Sequence, residues 1–130
     1  MKLDKVPTSD DWSPIVNALK KGDYFWTSGE VLIPTYSVEG TGARRTISAD
    51  VEWTFPLEFV EVVWGDGQKT DRQIIPATDL PAFGKHKFTI PFDATGKEWV
   101  RFAAWDSVGN GAFVQPIKLT PTATSTAAGR

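Results

Sequence analysis

The stretch Thr46–Phe55 (TISADVEWTF) alternates apolar and polar side chains along its whole length. Successive side chains of a β-strand point to opposite faces, so this pattern predicts a strand with one buried face and one solvated face. The side chains that we expect on the buried face are Ile47, Ala49, Val51, Trp53 and Phe55. A shift of one residue would bury Asp50 and Glu52, and the register is therefore well specified.

Other short runs along the chain have the composition of strands. Phe88, Ile90 and Phe92 alternate with polar residues or proline in the same way. Leu57–Trp64 and Glu98–Trp105 are apolar on both faces, which is typical of strands in the middle of a sheet. Weaker candidates lie at residues 24–26, 31–38, 70–75 and 112–119.

Turn residues separate these runs. Trp64–Gln68 (WGDGQ) has the composition of a tight hairpin. Pro34 and Pro116 are expected at edges or bulges, because proline has no N–H to donate to a neighbouring strand. Several short strands with a turn about every ten residues predict an all-β fold, an antiparallel immunoglobulin-like β-sandwich.

One short helix is predicted before the strands, at residues 13–21. We expect Ser13 to cap its first free N–H groups, and Pro14 suits the first turn. Gly22 supplies the left-handed residue that ends a helix. The apolar residues at helical spacing, expected to dock on the sandwich, are Ile15, Ala18 and Leu19.

These elements divide the chain into three parts. Residues 1–12 are a polar leader, and residues 13–119 form a single β-sandwich domain with the N-terminal helix. Residues 120–130 (TPTATSTAAGR) contain too little apolar surface to offset the entropy of ordering them, so we expect a flexible tail or linker.

Composition argues against several classes of function. The chain has 130 residues, 14 basic against 16 acidic side chains and a net charge of -2, so a nucleic-acid partner is not expected. No apolar run is long enough to cross a bilayer, which predicts no membrane partner. The sequence contains no cysteine and one histidine, and we expect no metal site and no cofactor.

Two segments resemble a known family. Gly22–Ile33 (GDYFWTSGEVLI) and Trp99–Phe113 (WVRFAAWDSVGNGAF) are similar to stretches near the C-terminus of secreted or periplasmic metallohydrolase-like proteins of the polymerase and histidinol phosphatase-like (PHP) type. In that family a metal-binding barrel carries the catalysis, and residues 13–119 would correspond to the β-sandwich that follows it.

The PHP resemblance implies an accessory role for this chain, because the metal-binding histidines of the family have no counterpart here. We therefore expect a fragment of a larger extracytoplasmic protein, periplasmic or secreted, that is not itself an enzyme. Its partner would be the catalytic domain of the parent protein, or a second copy of itself.

A weaker resemblance leads to the same fold. Val63–Gly67 (VWGDG) and Ala104–Asn110 (AWDSVGN) are similar to parts of polycystic-kidney-disease-type modules. Those modules are extracellular immunoglobulin-like β-sandwiches.

Six tryptophans are many for this length, and they allow two interpretations. Trp99, Arg101 and Trp105 share one face of a predicted strand, and with Trp26 they are the candidate ligand-binding residues. As a stacking platform they would make the chain a carbohydrate-binding or adhesion module. Alternatively, the indoles pack within the domain, because each buries about 150–250 Å².

The remaining polar residues have structural interpretations. Glu61 is expected to be buried and to need Arg101 or Arg72 as its partner. Asp66 and Asp106 are predicted to order their own turns rather than to bind calcium. His86 is expected on the surface, and we predict no catalytic residues.

Overall fold

The computed structural model describes residues 1–119, which form one helix and nine strands. Helix α1 covers Ser13–Lys21. The strands are β1 (Phe25–Thr27), β2 (Val31–Glu39), β3 (Arg44–Trp53), β4 (Leu57–Gly65), β5 (Thr70–Pro76), β6 (Gly84–Asp93), β7 (Trp99–Asp106), β8 (Gly111–Val114) and β9 (Ile117–Lys118). The predicted all-β sandwich with one short helix is confirmed. The expected tail at 120–130 lies outside the described residues.

The strands form two antiparallel sheets. The large sheet has the order β1-β8-β7-β4-β5, and β9 also pairs with β7. The small sheet has the order β2-β3-β6. Within residues 1–119, no helix is long and apolar enough to span a membrane.

Strand β3 is the centre of the small sheet, and one of its faces is buried as its alternation predicts. Ile47, Ala49, Val51 and Trp53 are all buried, and Phe88, Ile90 and Phe92 of β6 are buried beside them. The prediction for Phe55 was wrong, since its side chain is 43% exposed. The strand ends at Trp53 and the chain then turns toward β4 in the other sheet, so the alternation does not continue to Phe55.

The core lies between the two sheets, with Phe102 of β7 fully buried within it. The Phe102 ring lies 6.2 Å from the ring of Tyr36 and 6.1 Å from that of Phe88, both on the small sheet. Val60 and Val62 of β4 are also fully buried in this core. Phe102 therefore connects the two layers.

Pro34 lies in a bulge of β2, as predicted. Leu32 pairs with Glu52 and Thr35 pairs with Asp50, so Ile33 and Pro34 together lie opposite Val51. The extra residue reverses the side on which later side chains point. Tyr36 therefore faces the core. Pro116 separates β8 from β9, which divides the strand predicted at residues 112–119.

Helix α1 has the predicted bounds and ends at Gly22, which has a φ of 76°. The capping role expected for Ser13 was wrong: Trp12 is the cap residue, and the Ser13 hydroxyl instead donates to Asp11 at 2.6 Å. Ala18 is buried but Leu19 is exposed, so the docking face is narrower than predicted.

The position of Phe102 leads to the first prediction. Phe102→Ala should lower the free energy of unfolding by about 3–5 kcal/mol, because it leaves a cavity between the sheets. Phe83→Ala is the matched control, since the Phe83 side chain is 73% exposed, and its effect should be within about 0.5 kcal/mol. Urea unfolding measures both. Equal losses in the two variants would contradict a core centred on Phe102.

Candidate functional site

All four candidate ligand-binding residues lie on the outer surface of the large sheet. Trp99, Arg101 and Trp105 alternate along β7 with core residues. Trp26 of β1 lies opposite Phe113 of β8, which lies opposite Ala103 of β7, so Trp26 shares the same side. We call this surface the aromatic face; its members are Trp26, Phe59, Trp99, Arg101, Trp105 and Phe113.

A stack of three side chains forms one end of the aromatic face. The rings of Trp26 and Phe113 lie 5.2 Å apart, inclined by 19°. The guanidinium carbon of Arg101 lies 5.0 Å from the centre of the Phe113 ring. Trp26 remains 49% exposed, so it presents a large aromatic side chain to solvent.

The rings of Trp99 and Trp105 cover glycines of neighbouring strands. A Cβ atom added at Gly65 would come within 2.4 Å of Trp99 Nε1, and one added at Gly111 would come within 2.1 Å of Trp105 Cε3. Both glycines are needed because the indoles lie against the backbone itself. Trp99 and Trp105 therefore pack within the domain, and both are partly exposed.

Glu61 is buried beneath this surface, and both oxygens of its carboxylate accept hydrogen bonds. Its side chain accepts a hydrogen bond from Arg72 Nη1 at 3.0 Å and another from Trp105 Nε1 at 3.0 Å. Its burial and its pairing with Arg72 are confirmed, whereas Arg101 is not its partner. Because a buried carboxylate is costly unless paired and hydrogen-bonded, these two donors keep Glu61 in the sheet.

Arg101, unlike Glu61, is not fully hydrogen-bonded within residues 1–119. Its Nε atom is buried, and among residues 1–119 no hydrogen-bond acceptor reaches it. No carboxylate in this part of the chain forms an ion pair with Arg101. The Phe113 ring offers a cation–π contact, but the guanidinium keeps an unused donor.

The other polar residues have the structural roles predicted for them. Asp66 accepts backbone N–H bonds from Lys69 and Gln68, which lower the pKa of its carboxyl group. Asp106 accepts backbone N–H bonds from Val108 and Asn110 within its own loop.

His86 is exposed. Among residues 1–119, no three His, Cys, Asp or Glu side chains come together in a group that would hold a metal ion.

The outer surface of the small sheet has a different character. Asp50 lies opposite Lys87, and Glu52 lies opposite Lys85. Alternating charges of this kind are typical of a solvated sheet face. The two surfaces of the sandwich therefore differ, and the aromatic face is the candidate site.

Comparison with known proteins gives no match: no family model, no curated protein and no solved structure matches this chain. The PHP and polycystic-kidney-disease resemblances remain predictions. Both PHP-like segments contribute to the aromatic face, Gly22–Ile33 through Trp26 and Trp99–Phe113 through its alternate residues.

Phe59 and Phe113 are the residues of this site that sequence reasoning missed; Phe59 lies opposite Trp105. For Phe113 the signal was available, since it lies in the strand predicted at residues 112–119, where it alternates with Ala112 and Val114. The sequence does not show that this strand pairs between β1 and β7. That pairing places the Phe113 ring beside Trp26 and Arg101.

The contact between Gly111 and Trp105 predicts a coupled pair of mutations. Gly111→Ala should lower the free energy of unfolding by about 1–3 kcal/mol, because the new methyl group displaces the indole. In a Trp105→Ala background the same change should cost no more than about 0.5 kcal/mol. In a Trp99→Ala background, which is the control, Gly111→Ala should keep its full effect on the free energy of unfolding. An unchanged cost in the Trp105→Ala background would contradict the contact.

The partners of Glu61 lead to a second prediction for this site. Glu61→Ala should destabilise the domain by about 1–3 kcal/mol, since it leaves the Trp105 N–H and Arg72 without their acceptor. Glu58→Ala, at an exposed position on the same strand, should change stability by no more than about 0.5 kcal/mol. Thermal and urea unfolding would measure both. A neutral Glu61→Ala would show that the hydrogen bonds contribute nothing net.

Proposed function

We propose that this chain is a noncatalytic accessory domain that docks through its aromatic face on the catalytic domain of a larger extracytoplasmic, metallohydrolase-like protein. The observation that carries the proposal concerns Arg101, a cation within an aromatic surface. The buried Nε atom of Arg101 has no acceptor among residues 1–119. A partner surface that brings a carboxylate to Arg101 would satisfy that donor.

The composition of the aromatic face supports docking on a protein. Tryptophan and arginine are enriched where protein–protein interfaces are strongest, especially in their desolvated centres. Trp26 supplies an exposed ring and Arg101 supplies the charge that would select an acidic partner. The packed indoles of Trp99 and Trp105 give the surface a rigid base, which lowers the entropy lost on binding.

We further propose that the sandwich is immunoglobulin-like. The strands β3 and β6 would correspond to B and E of that fold, and β4, β7 and β8 to C, F and G. In support, β3 pairs with β6 in the small sheet, while β4, β7 and β8 are neighbours in the large sheet.

Site-specific photo-crosslinking tests the docking proposal. The crosslinking residue p-benzoylphenylalanine replaces Trp26 in the full gene product, or replaces Glu52 on the opposite sheet as a matched control. We expect a crosslink from position 26 to an acidic surface of a metallohydrolase-like domain, mapped by mass spectrometry, and none from position 52. Adding Arg101→Met should reduce the yield at position 26 about fivefold or more, because a charged hydrogen bond is lost.

Three results would contradict this proposal. Position 26 gives no more crosslink than position 52, or its crosslinks reach only unrelated proteins, or they join two copies of this chain. The last result, together with a dimer in light scattering, would make self-association the function of the aromatic face.

Carbohydrate binding is the second candidate function. The observation that favours it is the exposed Trp26 ring stacked on Phe113, because an aromatic ring open to solvent is a surface on which a sugar can stack. Titration of tryptophan fluorescence with neutral and uronic-acid oligosaccharides tests this. A saturable shift that Trp26→Ala abolishes, and Trp12→Ala does not, would support this candidate against docking on a protein.

A further inference from the structure

A cavity lies on the other side of β1 and β8 from the aromatic face, between the two sheets. It is a cavity of about 400 Å³ between β2 of the small sheet and β1 and β8 of the large sheet. This volume lies within the range of about 300–1,000 Å³ that is usual for small-molecule sites. The segment after helix α1 forms its rim, together with Lys2, whose backbone N–H donates to the Asp23 carbonyl oxygen at 2.6 Å.

Part of the cavity wall is apolar. Ile33 and Val114 are buried core residues, and Phe25 and Ile117 pack against the same core. Because this part of the wall offers dispersion contacts and few hydrogen bonds, the part of a ligand that packs against it would be an aromatic ring or a branched hydrocarbon.

Tyr36 gives the cavity a polar group without a partner. The bulge at Pro34 turns this side chain toward the core, and its hydroxyl oxygen is buried with no hydrogen-bond partner among residues 1–119. Burial raises the pKa of Tyr36 above its ordinary value of 10.0, so the hydroxyl stays protonated and is able to donate. A ligand oxygen at this position would satisfy it.

The rim of the cavity carries charge. Lys2 and Lys21 line it, with Asp23 beside them. Lys21 also lies 3.6 Å from Asp4, but both side chains are exposed, so that ion pair is weak and exchangeable. Two cations against one carboxylate on the rim favour an anionic group on the ligand.

We propose that this cavity binds a small carboxylic acid with an aromatic or branched aliphatic body and a hydroxyl or carbonyl oxygen at its far end. The carboxylate lies at the rim with Lys2 and Lys21, the body packs against Ile33 and Val114, and the distal oxygen accepts a hydrogen bond from Tyr36. This site is independent of the aromatic face and of the function proposed for it.

An NMR titration of the whole chain with three matched compounds tests this inference. They are 3-(4-hydroxyphenyl)propionate, 3-phenylpropionate, which lacks the hydroxyl, and 3-(4-hydroxyphenyl)propionamide, which lacks the charge. We expect the hydroxy acid to bind most tightly, with the largest amide shifts at Ile33, Val114 and Ile117. Each of the other two should bind about fivefold more weakly, the effect of one lost hydrogen bond or one weak ionic contact.

Two variants separate the roles of the polar groups. Tyr36→Phe keeps the ring and should weaken the hydroxy acid about fivefold without affecting 3-phenylpropionate. Lys21→Met should weaken both acids and leave the amide unchanged, while Lys87→Met, on the outer surface of the small sheet, should change nothing. The inference is overturned if no compound shifts the cavity amides at millimolar concentration, or if Tyr36→Phe binds the hydroxy acid as tightly as the natural chain.

Discussion

Gly65 and Gly111 of the large sheet have no side chain, and the indole rings of two tryptophans occupy the space above them. Trp105 lies over Gly111 and Trp99 lies over Gly65, each at a distance that any Cβ atom would prevent. With the Trp105 ring in this place, its N–H reaches Glu61, and Glu61 in turn binds Arg72. The Glu61 carboxylate is thus already occupied, and within residues 1–119 Arg101 contacts the Phe113 ring while its Nε has no acceptor. The binding role that we propose for the aromatic face follows from this contact between ring and backbone.

Sequence alternation was a sufficient guide wherever a strand stays in one sheet. Ile47–Trp53 and Phe88–Phe92 have the predicted faces because each strand runs straight beside its neighbour. It failed at Phe55, where the chain leaves the small sheet. The cap of helix α1 was also missed, because Trp12 takes the cap position and the Ser13 hydroxyl donates to Asp11 instead of accepting from a backbone N–H. Local pattern carries no information on such competing partners.

The candidate sites were less predictable than the strands, for a physical reason. Trp99, Arg101 and Trp105 were recognisable as one face because they lie on one strand. The addition of Trp26 and Phe113 to that face depends on β8 lying between β1 and β7, a pairing between residues far apart in sequence. Likewise, a bulge was expected at Pro34, but its effect on Tyr36 depends on which residues of β3 lie opposite. Both sites are products of register across strands.

The three residues of β1 connect the two sites. Trp26 and its partner Phe113 point outward to the aromatic face, whereas Phe25 and its partner Val114 line the cavity between the sheets. The strand is short and lies at the edge of the large sheet, where it pairs only with β8 among the described strands. Short edge strands have few hydrogen bonds to hold them, so the order of β1 depends on the packing of its side chains on both sides. The core contacts of Phe25 therefore help to keep the Trp26 ring in place on the opposite surface.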